Sequence, residues 1–164
     1  MSTLQKISPH LWFDTQAEDA VKFYVSIFKE SKIGRVNRYG EAGRDVHRMQ
    51  PGMVMSAQFW LEGQEFLALN GGPLFKFNES ISFVINCDDQ EEIDYYWEKL
   101  TEGGDPKAQR CGWLKDKFGL SWQVVPKELF KIFGTDGTKS QKVMPVFMQM
   151  NKIDIARLQE AYDS

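Results

Sequence analysis

The sequence predicts an α+β protein made of two tandem βαβββ modules followed by a C-terminal helical tail. Three observations carry this reading. Each half opens with an aromatic and aliphatic stretch that runs into a helix-start signal, each then continues as short strand-like runs broken by glycine, and helical periodicity returns after Pro126. A length of 164 residues suits a single domain, with the first module at about 5–72, the second at about 80–126 and the tail at 127–164. A chain of this size buries roughly two thirds of the surface it exposes when unfolded, so its core needs no disulfide or metal staple.

Residues 5–13 read as the first strand from their aliphatic and aromatic content, although Pro9 limits ladder donation. Thr15 with Glu18 makes a capping box, and Ala17, Ala20, Val21, Tyr24, Val25 and Phe28 recur along one helical face that must lie on a sheet. Residues 31–39 return as a strand, 40–52 form a polar loop, and 53–62 and 64–70 pair as a hairpin about Glu62 and Gly63. The second module begins with a strand from Ser80 to Cys87. Its helix starts at Asp89 and Glu92, which have capping-box spacing, presents Ile93, Tyr96, Trp97 and Leu100 as its apolar stripe, and ends at Gly103 and Gly104. Three short strands follow at about 106–110, 112–116 and 120–125. The tail reads as a helix from Lys127 to Phe133, a loop at 134–139, and amphipathic pieces through Met150 and from Asp154 to Tyr162. Its Val143, Phe147, Met150, Ile155, Leu158 and Tyr162 need an apolar surface to cover.

Acidic and basic residues, 23 against 20, are mixed along the chain with no basic block, which argues against a nucleic-acid partner. Cys87 and Cys111 stand outside any C-x-x-C or Cys/His cluster and read as buried thiols. No run approaches the ~18 apolar residues that span a bilayer, so no membrane partner is expected. The start, Met1 to Lys6, has neither the apolar run nor the small-residue cleavage site of a signal peptide, and the expected location is the cytoplasm.

Leu11-Trp12-Phe13-Asp14, Ala17-Glu18, Phe23-Tyr24 and Ile27-Phe28 resemble the opening of PhnB-like proteins. Cys111-Gly112-Trp113-Leu114-Lys115-Asp116, the run Phe118 to Pro126, and the tail Met150-Asn151-Lys152-Ile153-Asp154-Ile155 resemble the same family, which carries the name 3-demethylubiquinone-9 3-methyltransferase. That family is a branch of the glyoxalase/bleomycin-resistance (vicinal oxygen chelate) superfamily, so the resemblance implies that fold. The family's name implies S-adenosylmethionine, which is ordinarily cradled by a glycine-rich turn between a strand and a helix. Neither Gly71-Gly72-Pro73 nor Gly103-Gly104 has that context.

The superfamily's enzymes hold a divalent metal with His or Glu from the first and last strands of both modules, leaving open positions for substrate. Carried over, those positions fall on Pro9 with His10 beside it, near Ala68 with Asn70 on the same face, on Ile81 or Ser82, and on Gln123. Neutral amides are poor ligands for transition metals, so no metal and no cofactor is expected. His47 lies in the polar loop and receives no role, and Asp88, Asp89, Glu91 and Glu92 read as helix-start charges. Trp12, Trp60, Trp113 and Trp122 either line an aromatic pocket or belong to the core, and Trp113 is weighed as a core indole of the second module.

The expected ligand residues are His10, Gln58, Asn70, Trp122 and Gln123, with the Asn70 and Gln123 amides converging from the two modules on a neutral or anionic small molecule. Three readings stay open: a small-molecule binder that holds its ligand in a cup between the modules without a metal; a superfamily enzyme, either a metal-assisted lyase, isomerase or dioxygenase or the methyltransferase of the family name; and a purely structural dimerisation module, favoured if side chains fill the cup. A homodimer is expected, because each half-sheet leaves an open edge and members of the superfamily commonly pair modules across a two-fold axis.

Overall fold

A computed structural model describes residues 5–134 and 137–164; the first four residues, and Thr135 and Asp136 of the expected loop at 134–139, lie outside the described residues. The chain divides into two compact units, Met1–Lys76 and Phe77–Ser164, and the tail belongs to the second.

In the first unit β1 (His10–Phe13) leads into α1 (Ala17–Ile27), β2 (Ser31–Arg38), a short α2 (Arg44–His47), β3 (Val54–Leu61) and β4 (Gln64–Asn70). The sheet order is β1-β4-β3-β2, with β1 parallel to β4 and the other pairs antiparallel. This is the expected βαβββ arrangement. The first strand begins at His10 rather than residue 5, since Pro9 has no N–H to donate and joins only through its carbonyl, which accepts from Leu67 N–H. Upstream, the Gln5 side chain takes the place of a ladder: its Oε1 accepts from Glu65 N–H and its Nε2 donates to Glu65 O.

The Thr15–Glu18 capping box does not form. Gln16 is the N-cap and makes no side-chain cap bond; the Ala17 N–H is instead satisfied at 2.9 Å by Asn70 Oδ1, from the far end of β4. Glu18 turns outward to Lys22 and Arg38, and these two cations hold its carboxyl below the usual range. The hairpin closes as expected on two residues, Glu62 and Gly63, both at positive φ (47° and 78°), the geometry that matches strand twist. Glu62 adopts it while its carboxylate accepts from the Lys29 N–H, tying the turn to the α1–β2 connection. Ala17, Ala20, Val21, Tyr24 and Ile27 are buried along α1, and Tyr24 stacks on Phe59 of β3.

The second unit contains β5 (Phe83–Cys87), α3 (Gln90–Thr101), β6 (Trp113–Lys115) and β7 (Ser121–Pro126), in sheet order β5-β7-β6, followed by α4 (Leu129–Gly134), α5 (Gly137–Phe147) and α6 (Ile155–Asp163). The strand expected at 106–110 is absent. Pro106 opens a single 3-10 turn capped by Asp105, whose carboxylate accepts from Lys107 N–H, and only the bridge Arg110–Trp113 remains of that hairpin arm. The turn between them is Cys111-Gly112, at φ 53° and 84°. A Cβ at Gly112 would stand 2.8 Å from Val124 O, so both conformation and space require glycine.

The tail is bound to this turn and to α3. Cys111 and Gly112 N–H donate to the Met150 and Asn151 carbonyls. The Gln90 amide donates to Ile153 O and accepts from Ile155 N–H, and Lys152 pairs with Asp94. Of the tail's expected apolar positions Val143, Met150 and Leu158 are buried, as is Ile153, while Phe147, Ile155 and Tyr162 are half-buried. At the start of α3 the expected capping residues are in place: Asp89 accepts from Glu92 N–H, and the Glu92 carboxylate accepts from Asp88 N–H. Behind them Cys87 is fully buried, and burial, reinforced by Glu92, Asp89 and Asp88, pushes its thiol up to about 12. It is an inert core thiol, as its position outside any cysteine motif implies.

Candidate functional site

Each sheet has one face packed on its helix and one open face, and strand register decides which residues share each. In the first sheet the α1 face carries Leu11, Phe13, Ala57, Phe59, Phe66, Ala68 and Asn70, all buried. Between them, pointing the other way, lie three rows that cross the sheet. Lys32, Trp60 and Glu65 form the first, Gln58, Leu67 and His10 the second, and Asn37, Ser56, Leu69 and Trp12 the third. These side chains are half-buried or exposed.

Polar contacts on this face are specific. Gln58 Nε2 donates to Glu65 Oε1 at 2.7 Å, and Asn37 Nδ2 donates to Ser56 Oγ at 3.1 Å. The Lys32 ammonium sits 4.7 Å from the centroid of the Trp60 ring. Trp12 Nε1 donates to Gly72 O at 2.9 Å while its ring meets Phe75 edge-on, so this indole pins the loop after β4. Gly71 has no side chain because a Cβ there would overlap the Trp12 ring. The Gly71-Gly72 pair thus serves close packing at a strand end.

In the second sheet Trp122 and Val124 face α3, while Trp113, Gln123 and Val84 form a row on the other face with Ser82 beside it. Gln123 Nε2 donates to Ser82 Oγ at 2.9 Å. Lys115, on the same face, pairs with Glu79 and holds that carboxyl below its usual range. The Ser121 hydroxyl is buried there with no hydrogen-bond partner among the described residues.

The five expected ligand residues belong to two sheets, and within each sheet they lie on different faces. His10 and Gln58 share a row on the first open face, and Gln123 lies on the second. Asn70 does not share the open face: it is 1% exposed on the α1 side, where Oδ1 accepts from Ala17 N–H and Nδ2 donates to Val54 O. Trp122 is likewise in the core, its Nε1 donating at 2.9 Å to Asp116 Oδ2. Asp116, itself buried, also accepts from the Phe118 and Leu120 N–H groups and so organises the β6–β7 turn. Trp113, weighed as a core indole, is the half-buried one, because Trp122 has the helix-facing register.

The carried-over metal positions shift by one residue in the first unit. His10 pairs with Leu67 just as Val84 pairs with Gln123, so the open-face position corresponding to Gln123 is Leu67, whereas Ala68 points into the core. On the first face His10 and Glu65 are the imidazole and carboxylate present, and the second offers an amide and a hydroxyl beside an ion pair. Among the described residues no group of three or more His, Cys, Asp or Glu side chains is placed to hold an ion. This donor set does not fit the superfamily's metal. Glu65, absent from the expected list, was within reach of the sequence: a two-residue turn at Glu62-Gly63 puts Trp60 opposite Glu65 and Gln58 opposite Leu67.

The sequence profile of the family described as 3-demethylubiquinone-9 3-methyltransferase matches residues 5–125, so the Met150–Ile155 motif lies outside it. A structure titled as a putative 3-demethylubiquinone-9 3-methyltransferase, PhnB protein, from Bacillus cereus is 36% identical, with 74% of this chain and 99% of that one covered and a TM-score of 0.63. Protein PA1353 from Pseudomonas aeruginosa is 19% identical over 74% of this chain and 98% of its own, with a TM-score of 0.57. A mutant of the fosfomycin resistance protein FosX from Listeria monocytogenes, complexed with Mn(II) and 1S,2S-dihydroxypropylphosphonic acid, is 17% identical over 82% of this chain and 97% of its own, with a TM-score of 0.51. At those identities the last two likenesses are of fold. Among curated proteins none matches this chain.

Proposed function

The chain belongs to the 3-demethylubiquinone-9 3-methyltransferase family, a PhnB-like branch of the vicinal oxygen chelate superfamily, and from that premise we propose that it binds a small molecule on an open sheet face without the superfamily's usual metal. The observation that carries this reading is the first open face, where two indoles, an imidazole, an amide and a carboxylate stand half-buried or exposed opposite a fully packed helical face. Such a mixture of aromatic area and a few oriented polar groups is what a ligand surface requires. The transferase of the family's description has less support. Its cofactor calls for a glycine turn between a strand and the next helix, whereas Gly71-Gly72 pack on Trp12 and Gly103-Gly104 follow α3.

The test is elemental analysis of the purified protein together with a small-molecule screen read by NMR on the tryptophan indoles. The expected result is metal well below one equivalent, no saturable heat with S-adenosylmethionine, and hits that shift the Trp12 and Trp60 indole resonances. One equivalent of a transition metal, or calorimetric binding of S-adenosylmethionine, overturns the proposal in favour of an enzyme.

The protein is proposed to act as a homodimer. β2 is an eight-residue edge strand with one unpaired side and with Ile33 and Val36 exposed, an edge that a second copy can cover. Light scattering at micromolar concentration is expected to give twice the 19.0 kDa chain mass; a 19.0 kDa species alone overturns it. No helix among the described residues is long and apolar enough to cross a membrane.

A further inference from the structure

The first row of the open face sets a cation, an indole and a carboxylate side by side. Lys32, Trp60 and Glu65 are direct cross-strand neighbours. The Lys32 ammonium already lies over the Trp60 ring at 4.7 Å, so the electron-rich face of that indole is oriented to accept a cation. On the other side of Trp60, Glu65 is half-buried, and no described cation stands within ion-pair distance of it. Glu18, Glu79 and Asp94, by contrast, each have a lysine partner.

Gln58 fixes how the remaining acceptors point. Its contact with Glu65 is made by the NH2 group, because two oxygens cannot share a hydrogen bond without a proton between them. Gln58 Oε1 is therefore an acceptor, and it leans over Gly34, where a Cβ would stand 3.0 Å from it and would overlap the Trp60 ring. The missing side chain at Gly34 keeps the indole and the amide close together. A π face, a carboxylate and an amide oxygen meet here, with Leu67, Leu69 and Trp12 in the adjoining rows as apolar area.

We propose that this face binds an organic ammonium ion carrying an apolar body. The ammonium pairs with Glu65, donates to Gln58 Oε1 and lies against Trp60 in place of Lys32, while the body covers Leu67 and Leu69. This rests on the open face being the ligand surface proposed above. Glu65 thereby turns the neutral or anionic ligand expected from Asn70 and Gln123 into a cation. Lys32 is an internal competitor for the same ring.

The experiment compares three probes of one shape, 2-phenylethylammonium, 2-phenylethanol and 3-phenylpropionate, titrated into the full chain and followed by the Trp60 indole resonance. The ammonium is expected to bind about tenfold more tightly than the alcohol, and the carboxylate most weakly. Glu65→Gln is expected to abolish the tenfold difference by weakening the ammonium to the level of the alcohol, and Lys32→Ala to tighten the ammonium by about two- to fivefold by removing the competitor. Both positions are partly or fully exposed, and circular dichroism checks that the variants fold. Equal binding of all three probes, or an unchanged preference in Glu65→Gln, overturns the cation class while the small-molecule surface stands. The absence of binding by every probe overturns the ammonium site.

Discussion

Trp122→Ala is expected to lower stability in urea unfolding by about 3–5 kcal/mol, the range for truncating a buried aromatic side chain. Trp122 is 3% exposed, faces α3, and donates its indole N–H to the buried Asp116 carboxylate at 2.9 Å. Truncation leaves a cavity beside Phe83, with which the indole packs at 5.6 Å between ring centroids, and removes one donor from a carboxylate that must stay solvated by the protein. Trp122→Phe keeps most of the packing and isolates the lost hydrogen bond, for an expected cost of about 1–3 kcal/mol. Trp113→Ala, on the half-buried face, is expected to cost less than half as much as Trp122→Ala. Equal losses at Trp113 and Trp122, or the reverse order, would show that the assignment of faces in the second sheet is wrong.

Asn70→Ala is expected to cost about 2–4 kcal/mol, from two buried hydrogen bonds whose partners are then left unsatisfied. One partner is the Ala17 N–H at the start of α1 and the other the Val54 carbonyl of β3, so this amide joins a helix end, the last residue of β4 and the neighbouring strand. The Tyr39 hydroxyl adds a third tie by donating to Asn70 O at 2.6 Å. Denaturation by urea checks the magnitude, and the fraction of helix retained checks where it acts. A change below about 0.5 kcal/mol, typical of a free surface position, would mean that Asn70 is held for a ligand.

Several elements were legible without a structure because their signals are local. The stripe on α1, the Asp89 and Glu92 cap of α3 and the two-residue turn at Glu62-Gly63 each arise from residues within a few positions of one another. Failures came where a partner lies far along the chain. Thr15 and Glu18 have capping spacing, yet Asn70, 53 residues away, satisfies the helix N–H. The same bond accounts for a polar residue on an otherwise apolar strand: its hydrogen-bond partners lie far along the chain and leave no trace in a linear pattern. Residues 106–110, Pro-Lys-Ala-Gln-Arg, contain no β-branched or aromatic side chain, and Pro106 and the Asp105 cap commit the segment to a 3-10 turn.

By itself the sequence determined the α+β class, the family, the order of elements apart from the 106–110 segment and the short α2, and the face-to-face alternation along each strand, since these depend on periodicities of two and 3.6 residues and on short motifs. Tertiary structure alone decided which alternating set looks outward. Periodicity specifies that Leu67 and Ala68 point oppositely, and a one-residue change in register exchanges their faces; the parallel pairing of His10 with Leu67 selects the set that shares the open face with Gln58 and Glu65. The site therefore follows from inter-strand register, which is a property of pairing between distant segments and is set by which face α1 can bury.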